Sequence, residues 1–360
     1  IDAIINIKKD LEWRSLPSDR ENGLVPVPES LVNAQSIEPF LQELKERTFA
    51  KYNAFTVGEV LNETDDELHF FIGKDGAFSS IFDFKQTMLG QEGKGWFDHS
   101  LPTADELKES IFQAHERADS IGVLSTIIEN HDEPRGVSHY IAEGPVNDTS
   151  KKALGTIQVL RKGIPFIYQG QEIGMENQVF ESVEDFDDIA TINGYHVAKE
   201  AGLSEEEALA AIAKYSRDNA RTPMQWSAEP GLGFSDGPAW LISPKPDHSI
   251  NVEDQEKDPN SILNYYRQLT ALYRHPLYRN TIRFGDMIPA YRDRENIIAF
   301  ERRGDKRLLV VSNFQNRQAT LELPTPIKTV LLNNTAGLFH EGDQVLELTP
   351  YQTVVLELVE

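Results

Sequence analysis

The stretch "STIIENHDEPRGV", residues 125–137, passes from small and apolar residues straight into Asn130, His131, Asp132, Glu133, Pro134 and Arg135. An apolar run of strand length that ends in a polar loop is the pattern of a strand buried in a parallel sheet. The pattern recurs on both sides. "AFTVGEV" (54–60), "GVLSTIIENHD" (122–132) and "IPFIYQGQEIG" (164–174) read as strands, and "IEPFLQELKERTF" and "DELKESIFQAHERA" carry helical spacing. This alternation predicts an α/β part with a parallel sheet and helices outside it, in barrel or open form. From about residue 280 the character changes: "NIIAFERRG", "RLLVVSNF", "TLELP", "TVLLNN", "VLELTP" and "TVVLELV" are separated only by turns. They predict a small antiparallel β-domain. The helical run "SILNYYRQLTALYRH" (261–275) joins the two parts, and "LSEEEALAAIAKY" (203–215) reads as a helix with a charged face.

Composition narrows the function classes. A formal charge of -23 opposes binding to nucleic acid or to an anionic membrane surface, both of which favour a basic partner. The chain has no cysteine, which excludes disulfides, thiolate catalysis and Cys-ligated metals within it. It shows no run of about 18 apolar residues that would span a membrane.

Three of the strand-like runs end in a carboxylate: Asp2 after Ile1, Glu59 in "FTVGE" and Asp132 in "TIIENHD". In a parallel barrel all strand C-termini face one side, so residues distant in sequence converge there. Paired carboxylates suit glycosidic bond cleavage, with one acid protonated to donate to the leaving oxygen and another ionised. The alternative for each acid alone is a cap on the following helix. His131 adds a donor for a sugar hydroxyl, while Asn130 and Arg135 add fixed polar geometry. "YSRDNARTPMQW" (215–226) sets Arg217, Asp218, Asn219 and Arg221 ahead of Met224 and Trp226, either a sugar-facing loop or a salt-bridged structural one.

Together "FTVGEV", "ENHDEPR", "PFIYQGQEIGMEN" and "SRDNARTPMQW" closely resemble the α-amylase superfamily of glycoside hydrolases, in particular its oligo-1,6-glucosidase and α-glucosidase group. The resemblance covers essentially the whole chain. It implies the C-terminal part of a (β/α)8 TIM barrel over residues 1–278, followed by a small antiparallel β-sandwich domain over 279–360. It assigns Asp2 as nucleophile, Glu59 as general acid/base and Asp132 as the carboxylate that holds sugar hydroxyls, with His131 as its companion and Arg217 contacting the non-reducing glucose. The implied mechanism is retaining, with the Asp2 and Glu59 carboxyls about 5 to 5.5 Å apart.

Departures from the family pattern carry further expectations. Ala3 stands where members preferring α-1,6 bonds carry Val, and Ala190 in "DIAT" stands where the group usually carries Glu, altering the leaving-group subsite. The Arg-Leu-Asp-Arg-Asp loop of sucrose isomerases is replaced by "IFDFKQT", whose Phe82 and Phe84 are expected to form an apolar wall and to favour hydrolysis. The first half of the family's barrel and its inserted loop domain have no counterpart, so a longer enzyme, or a separate N-terminal chain as partner, is expected. The resemblance implies no required cofactor and no metal ligand here; a structural calcium site would belong to that N-terminal part. It further implies an oligosaccharide substrate and a cytoplasmic location. The substrate expectation is terminal α-linked glucose in isomaltose, isomalto-oligosaccharides or maltose. Trehalose-6-phosphate hydrolysis, a sucrose-active hydrolase, transglycosylation and a non-catalytic relative stay open.

Overall fold

The computed structural model describes residues 1–12, 14–16, 34, 37–61, 63–91, 95–142, 144–241, 244–245 and 247–359, and these form two compact units. The first comprises Ile1–Lys85 with Ala114–Ser125, the second Gln86–Gln113 with Thr126–Glu360.

In the first unit, helix α1 (Glu38–Arg47) starts at a proline, as suits a first turn whose N–H groups lack helical partners, and buries Leu41. Strands β1 (Val57–Gly58) and β2 (Ser80–Ile81) pair in parallel, and Phe82 continues the ladder by a parallel bridge to Ser125 of β3 (Ser125–Thr126). On the other side of β1 the Ile1 nitrogen donates to the Val57 carbonyl and the Ile1 carbonyl accepts from the Glu59 N–H, both at 2.8 Å. One residue bracketing two others in this way is parallel pairing. Ile4, Val60, Leu68, Phe71, Phe78 and Ile81 close the core.

The second unit holds most of the longer helices. α3 (Asp148–Leu160) opens on a capping box between Asn147 and Ser150, and α5 (Glu205–Tyr215) on one between Ser204 and Glu207; each satisfies amides that the first turn leaves unpaired. α4 (Ile189–Glu200) and α6 (Ile262–Arg274) complete the longer helices of this unit, and α2 (Ala104–Ala118) has its residues up to Gln113 here and the rest in the first unit. Strand β4 (Ile164–Pro165) pairs with β3, and Phe166 N–H donates to the Thr126 carbonyl at 2.9 Å.

The expected strands 54–60, 122–132 and 164–174 contribute only two ladder residues each. Beyond these residues the chain turns: Gly170 and Gly174 adopt φ of 89° and 72°, left-handed values that end an extended run. Ile127 and Ile128 are nonetheless buried, so the apolar signal was real although the ladder is short.

The antiparallel part is present. β5 (Asp286–Ala290), β6 (Ile297–Arg303), β7 (Arg307–Asn313), β11 (Thr353–Leu358) and β9 (Ile327–Asn333) form a five-stranded sheet in the order β5-β6-β7-β11-β9, while β8 (Ala319–Glu322) pairs with β10 (Val345–Leu348). β5 escaped the sequence reading because Pro289 interrupts its pattern; at the sheet edge the missing N–H does no harm. Both faces of the sheet are covered. Ile298, Phe300, Leu308, Val310 and Val355 join Leu154 and Ile157 of α3 and Leu269 of α6 in one core. The alternate residues Ile297, Ala299, Leu309, Val311 and Leu356 meet Leu321, Leu346 and Leu348 of the β8–β10 pair.

Candidate active site

In the first unit the parallel pairing carries Asp2 to the end of its strand beside Glu59. The contact is specific: Ala3 N–H donates to Glu59 Oε2 at 2.8 Å, and Ile4 N–H donates to the Glu59 carbonyl at 3.0 Å. The turn needs Ala3 at φ 47°, in the left-handed region that L-residues enter at a cost. A β-branched residue fits that backbone poorly, so Ala3 has a local steric reason as well as the expected effect on linkage. Asp2 is exposed and Glu59 half-buried. Gly58 lets Glu59 sit where it does: a Cβ there would come within 2.8 Å of the buried Phe78 ring. In the expected apolar wall, Phe82 is half-buried and Phe84 is buried, with ring centroids 5.8 Å apart.

In the second unit the loop after Ile128 is built by its own polar residues. Asn130 Oδ1 accepts from the Asp132 N–H at 2.7 Å, an Asx turn that reverses the chain. Glu129 points inward, where its Oε1 takes Arg135 Nη1 at 3.0 Å and its Oε2 takes the Gly136 N–H at 2.6 Å. Both side chains are fully buried. Burial pushes the Glu129 carboxyl up, against the opposing pull of Arg135 and the Gly136 amide. Gly136 is required because a Cβ would approach the Ile128 carbonyl oxygen to 2.6 Å. This pair fixes the loop from below.

Asp132 stands on the outer side of the same turn. Its Oδ1 accepts from Arg221 Nη2 at 2.7 Å and from Arg217 Nη1 at 3.3 Å, and its Oδ2 lies 3.3 Å from His131 Nε2. Arg221 Nε also donates to the His131 carbonyl at 2.9 Å. The structure therefore brings His131, Asp132 and Arg217 together, and adds Arg221. Arg217 is shared: its Nε donates to Asp188 Oδ1 at 3.1 Å and its Nη2 reaches the same oxygen. Burial works to raise the Asp188 carboxyl, but Arg217 and Thr191 together hold it below the usual carboxylate range. Asp188 also caps α4, accepting from Thr191 N–H at 3.1 Å and Thr191 Oγ1 at 2.7 Å. Its own N–H and that of Asp187 are held by Asp218 Oδ2 at 2.9 and 2.8 Å. Ala190, two residues on, is exposed at the start of the helix. Asp188 and Arg221 were missed as site residues, although both lie inside quoted motifs; the spacing of Arg217 and Arg221, four apart, was the available signal for the second arginine.

A half-buried carboxyl beside an ion-paired one, Glu133 next to Asp132, is pushed up to about 7, by desolvation first and then by the Asp132 charge, against a hydrogen bond from Thr87. No helix among the described residues is long and apolar enough to cross a membrane.

Known proteins carry the same organisation. Residues 1–279 match the alpha amylase catalytic domain, and residues 297–355 match the alpha-amylase SusG C-terminal domain. A probable oligo-1,6-glucosidase 3 of Bacillus subtilis (strain 168) is 32% identical over 98% of this chain and 63% of its own length. A trehalose-6-phosphate hydrolase of the same organism is 31% identical over 89% of this chain and 58% of its own length. Among solved structures, an isomaltulose synthase from Erwinia rhapontici NX5 superposes with a TM-score of 0.89 at 28% identity, over 100% of this chain and 64% of that one. The chain thus spans under two thirds of the length of these relatives. With a catalytic-domain match over more than three quarters of its residues and relatives above 30% identity along nearly all of it, the chain belongs to the alpha-amylase family of glycoside hydrolases.

Proposed function

We propose that the protein acts as a retaining α-glucosidase that removes terminal α-linked glucose from short oligosaccharides. The observation that carries this reading is the bond from Ala3 N–H to the Glu59 carboxylate, which ties the residue following Asp2 to the second acid on the adjacent strand end. In the first step the Asp2 carboxylate attacks the anomeric carbon. The glycosidic C–O bond breaks, and Glu59 gives its proton to the leaving oxygen. In the second step Glu59 takes a proton from water, whose oxygen attacks the same carbon and releases Asp2. Two inversions leave the configuration unchanged, which requires carboxyls about 5 to 5.5 Å apart.

Asp132 fits the role of hydroxyl holder. Held by the guanidiniums of Arg217 and Arg221, its carboxyl group is positioned to accept hydrogen bonds from the sugar hydroxyls. The catalytic part is assigned to residues 1–278 and the β-domain to 279–360. The expected location, cytoplasmic, and the requirement for a further N-terminal part belong to the same reading, as does the absence of a cofactor requirement.

The relatives' names favour α-1,6-linked glucosides and leave trehalose 6-phosphate as the second reading. Isomerisation of sucrose is disfavoured by Phe82 and Phe84 standing where isomerases carry a charged loop. Assays of the protein and its Asp2→Asn variant on isomaltose, maltose, sucrose and trehalose 6-phosphate test the proposal. The variant is expected to lose at least about a thousandfold in kcat, in line with loss of a covalent nucleophile. Equal activity in both proteins would sink the assignment.

A further inference from the structure

A buried carboxamide without a hydrogen-bond partner costs folding energy, so one that is kept invites an explanation. Gln225 is 4% exposed, and among the described residues its side chain has no hydrogen-bond partner. It lines a cavity of about 340 Å³ in the second unit, together with Gln178, Glu181, Pro244, Lys245 and Ile250. Gln178 is half-buried and its side chain is likewise without a partner among the described residues, while its N–H is held by Asn219 Oδ1 at 2.8 Å. The walls are tied to one another. Gln255 Nε2 donates to the Ile173 carbonyl at 2.8 Å and to the Ser249 carbonyl at 2.7 Å, and the Val252 N–H donates to the Gln225 carbonyl at 3.1 Å. His131, Asp132, Arg217 and Arg221 do not line this cavity. Gln225 follows Arg221 by four residues, so the segment that grips Asp132 goes on to form one wall of it.

We infer that this cavity is an accessory binding place for one neutral hexose ring, separate from the group around Asp132. Its volume stands at the small end of ligand pockets, roughly 300 to 1,000 Å³, and suits a single ring rather than a chain. A sugar hydroxyl both donates and accepts, and a carboxamide does the same through its NH2 and its carbonyl. Gln178 and Gln225 therefore offer matched partners for neighbouring hydroxyls. Pro244 and Ile250 supply the apolar wall that the C–H groups of the ring would cover. The surrounding charges create no demand for a charged ligand. Glu176 is paired with Lys151 Nζ at 2.7 Å, and Asp247 Oδ1 takes the Ser249 N–H and hydroxyl at 2.6 and 2.7 Å. Glu181 and Lys245 are exposed and opposite in sign.

The inference stands apart from the glucosidase reading, because no residue of the proposed reaction enters it. Calorimetric titration of the Asp132→Asn protein, which lacks the carboxylate proposed to hold sugar hydroxyls, with glucose and with isomaltotriose tests it. Binding is expected to persist in that protein. Adding Gln225→Leu or Gln178→Leu is expected to weaken it about tenfold, in line with the loss of one or two hydrogen bonds. Gln178 is half-buried, so its substitution reads the cavity even where the buried change at Gln225 prevents folding. Binding of glucose assigns a free hexose to the cavity; binding of isomaltotriose alone assigns a ring at the end of a chain. No binding of either sugar by the Asp132→Asn protein, or unchanged affinity after Gln178→Leu, would overturn the inference.

Discussion

The carboxylates along "ENHDE" show how three acids within five residues acquire three different states from their surroundings. Glu129 is buried against Arg135, Asp132 is held by Arg217 and Arg221, and Glu133 is desolvated beside the Asp132 charge. Because Glu133's folded value is raised from 4.5 to about 7, its contribution to stability is fully present below pH 4.5 and is lost as pH rises through 7. Glu133→Gln removes that penalty. The variant is expected to melt higher than the parent at pH 8, with a ceiling of roughly 3 kcal/mol, and the advantage should shrink at pH 5. Thermal melts at both pH values decide it; an advantage independent of pH would assign the effect to packing instead. Asp132 was legible in the sequence because an apolar run points at it. Asp188 was not, since its value lies in a bond to Arg217 across 29 positions that no spacing rule reveals.

At the scale of elements, the strand signals marked the right places and overstated the lengths. A parallel ladder needs only enough residues to set register, and the chain then leaves it to build polar loops whose backbone bonds go to side chains such as Asn130 and Asp218. Helix starts were more legible. The Ser204–Glu207 box stands plainly in "LSEEEA", because capping is a local interaction. Glycines at the strand ends carry the remaining information. Gly58→Ala would drive a methyl group into Phe78 and displace the residue next to it, Glu59. The expected result is a lower melting temperature, by about 1 to 3 kcal/mol of overpacking, together with a fall in kcat larger than any change in KM. A change in KM alone would mean that Glu59 keeps its position.

For the whole molecule, the sequence separated an alternating α/β part from an antiparallel one, and the structure contains both. What periodicity concealed is that the five-stranded sheet has two buried faces, one sharing a core with α3 and α6. The continuous apolar runs in β7 and β11 were the trace of that arrangement, since a half-exposed strand would alternate. In the proposed reaction the chemistry is more dispersed than the packing: the acid that attacks, the acid that donates and the acid that holds are residues 2, 59 and 132. Their division of labour stands or falls on a covalent bond to Asp2. Incubation with 5-fluoro-α-glucosyl fluoride, which slows the second step more than the first, followed by peptide mass spectrometry, reads that bond directly. The account predicts a 5-fluoroglucosyl adduct on the peptide that contains Asp2, absent from the Asp2→Asn protein. An adduct on Glu59 or Asp132, or turnover that releases β-glucose first with no adduct formed, would contradict it.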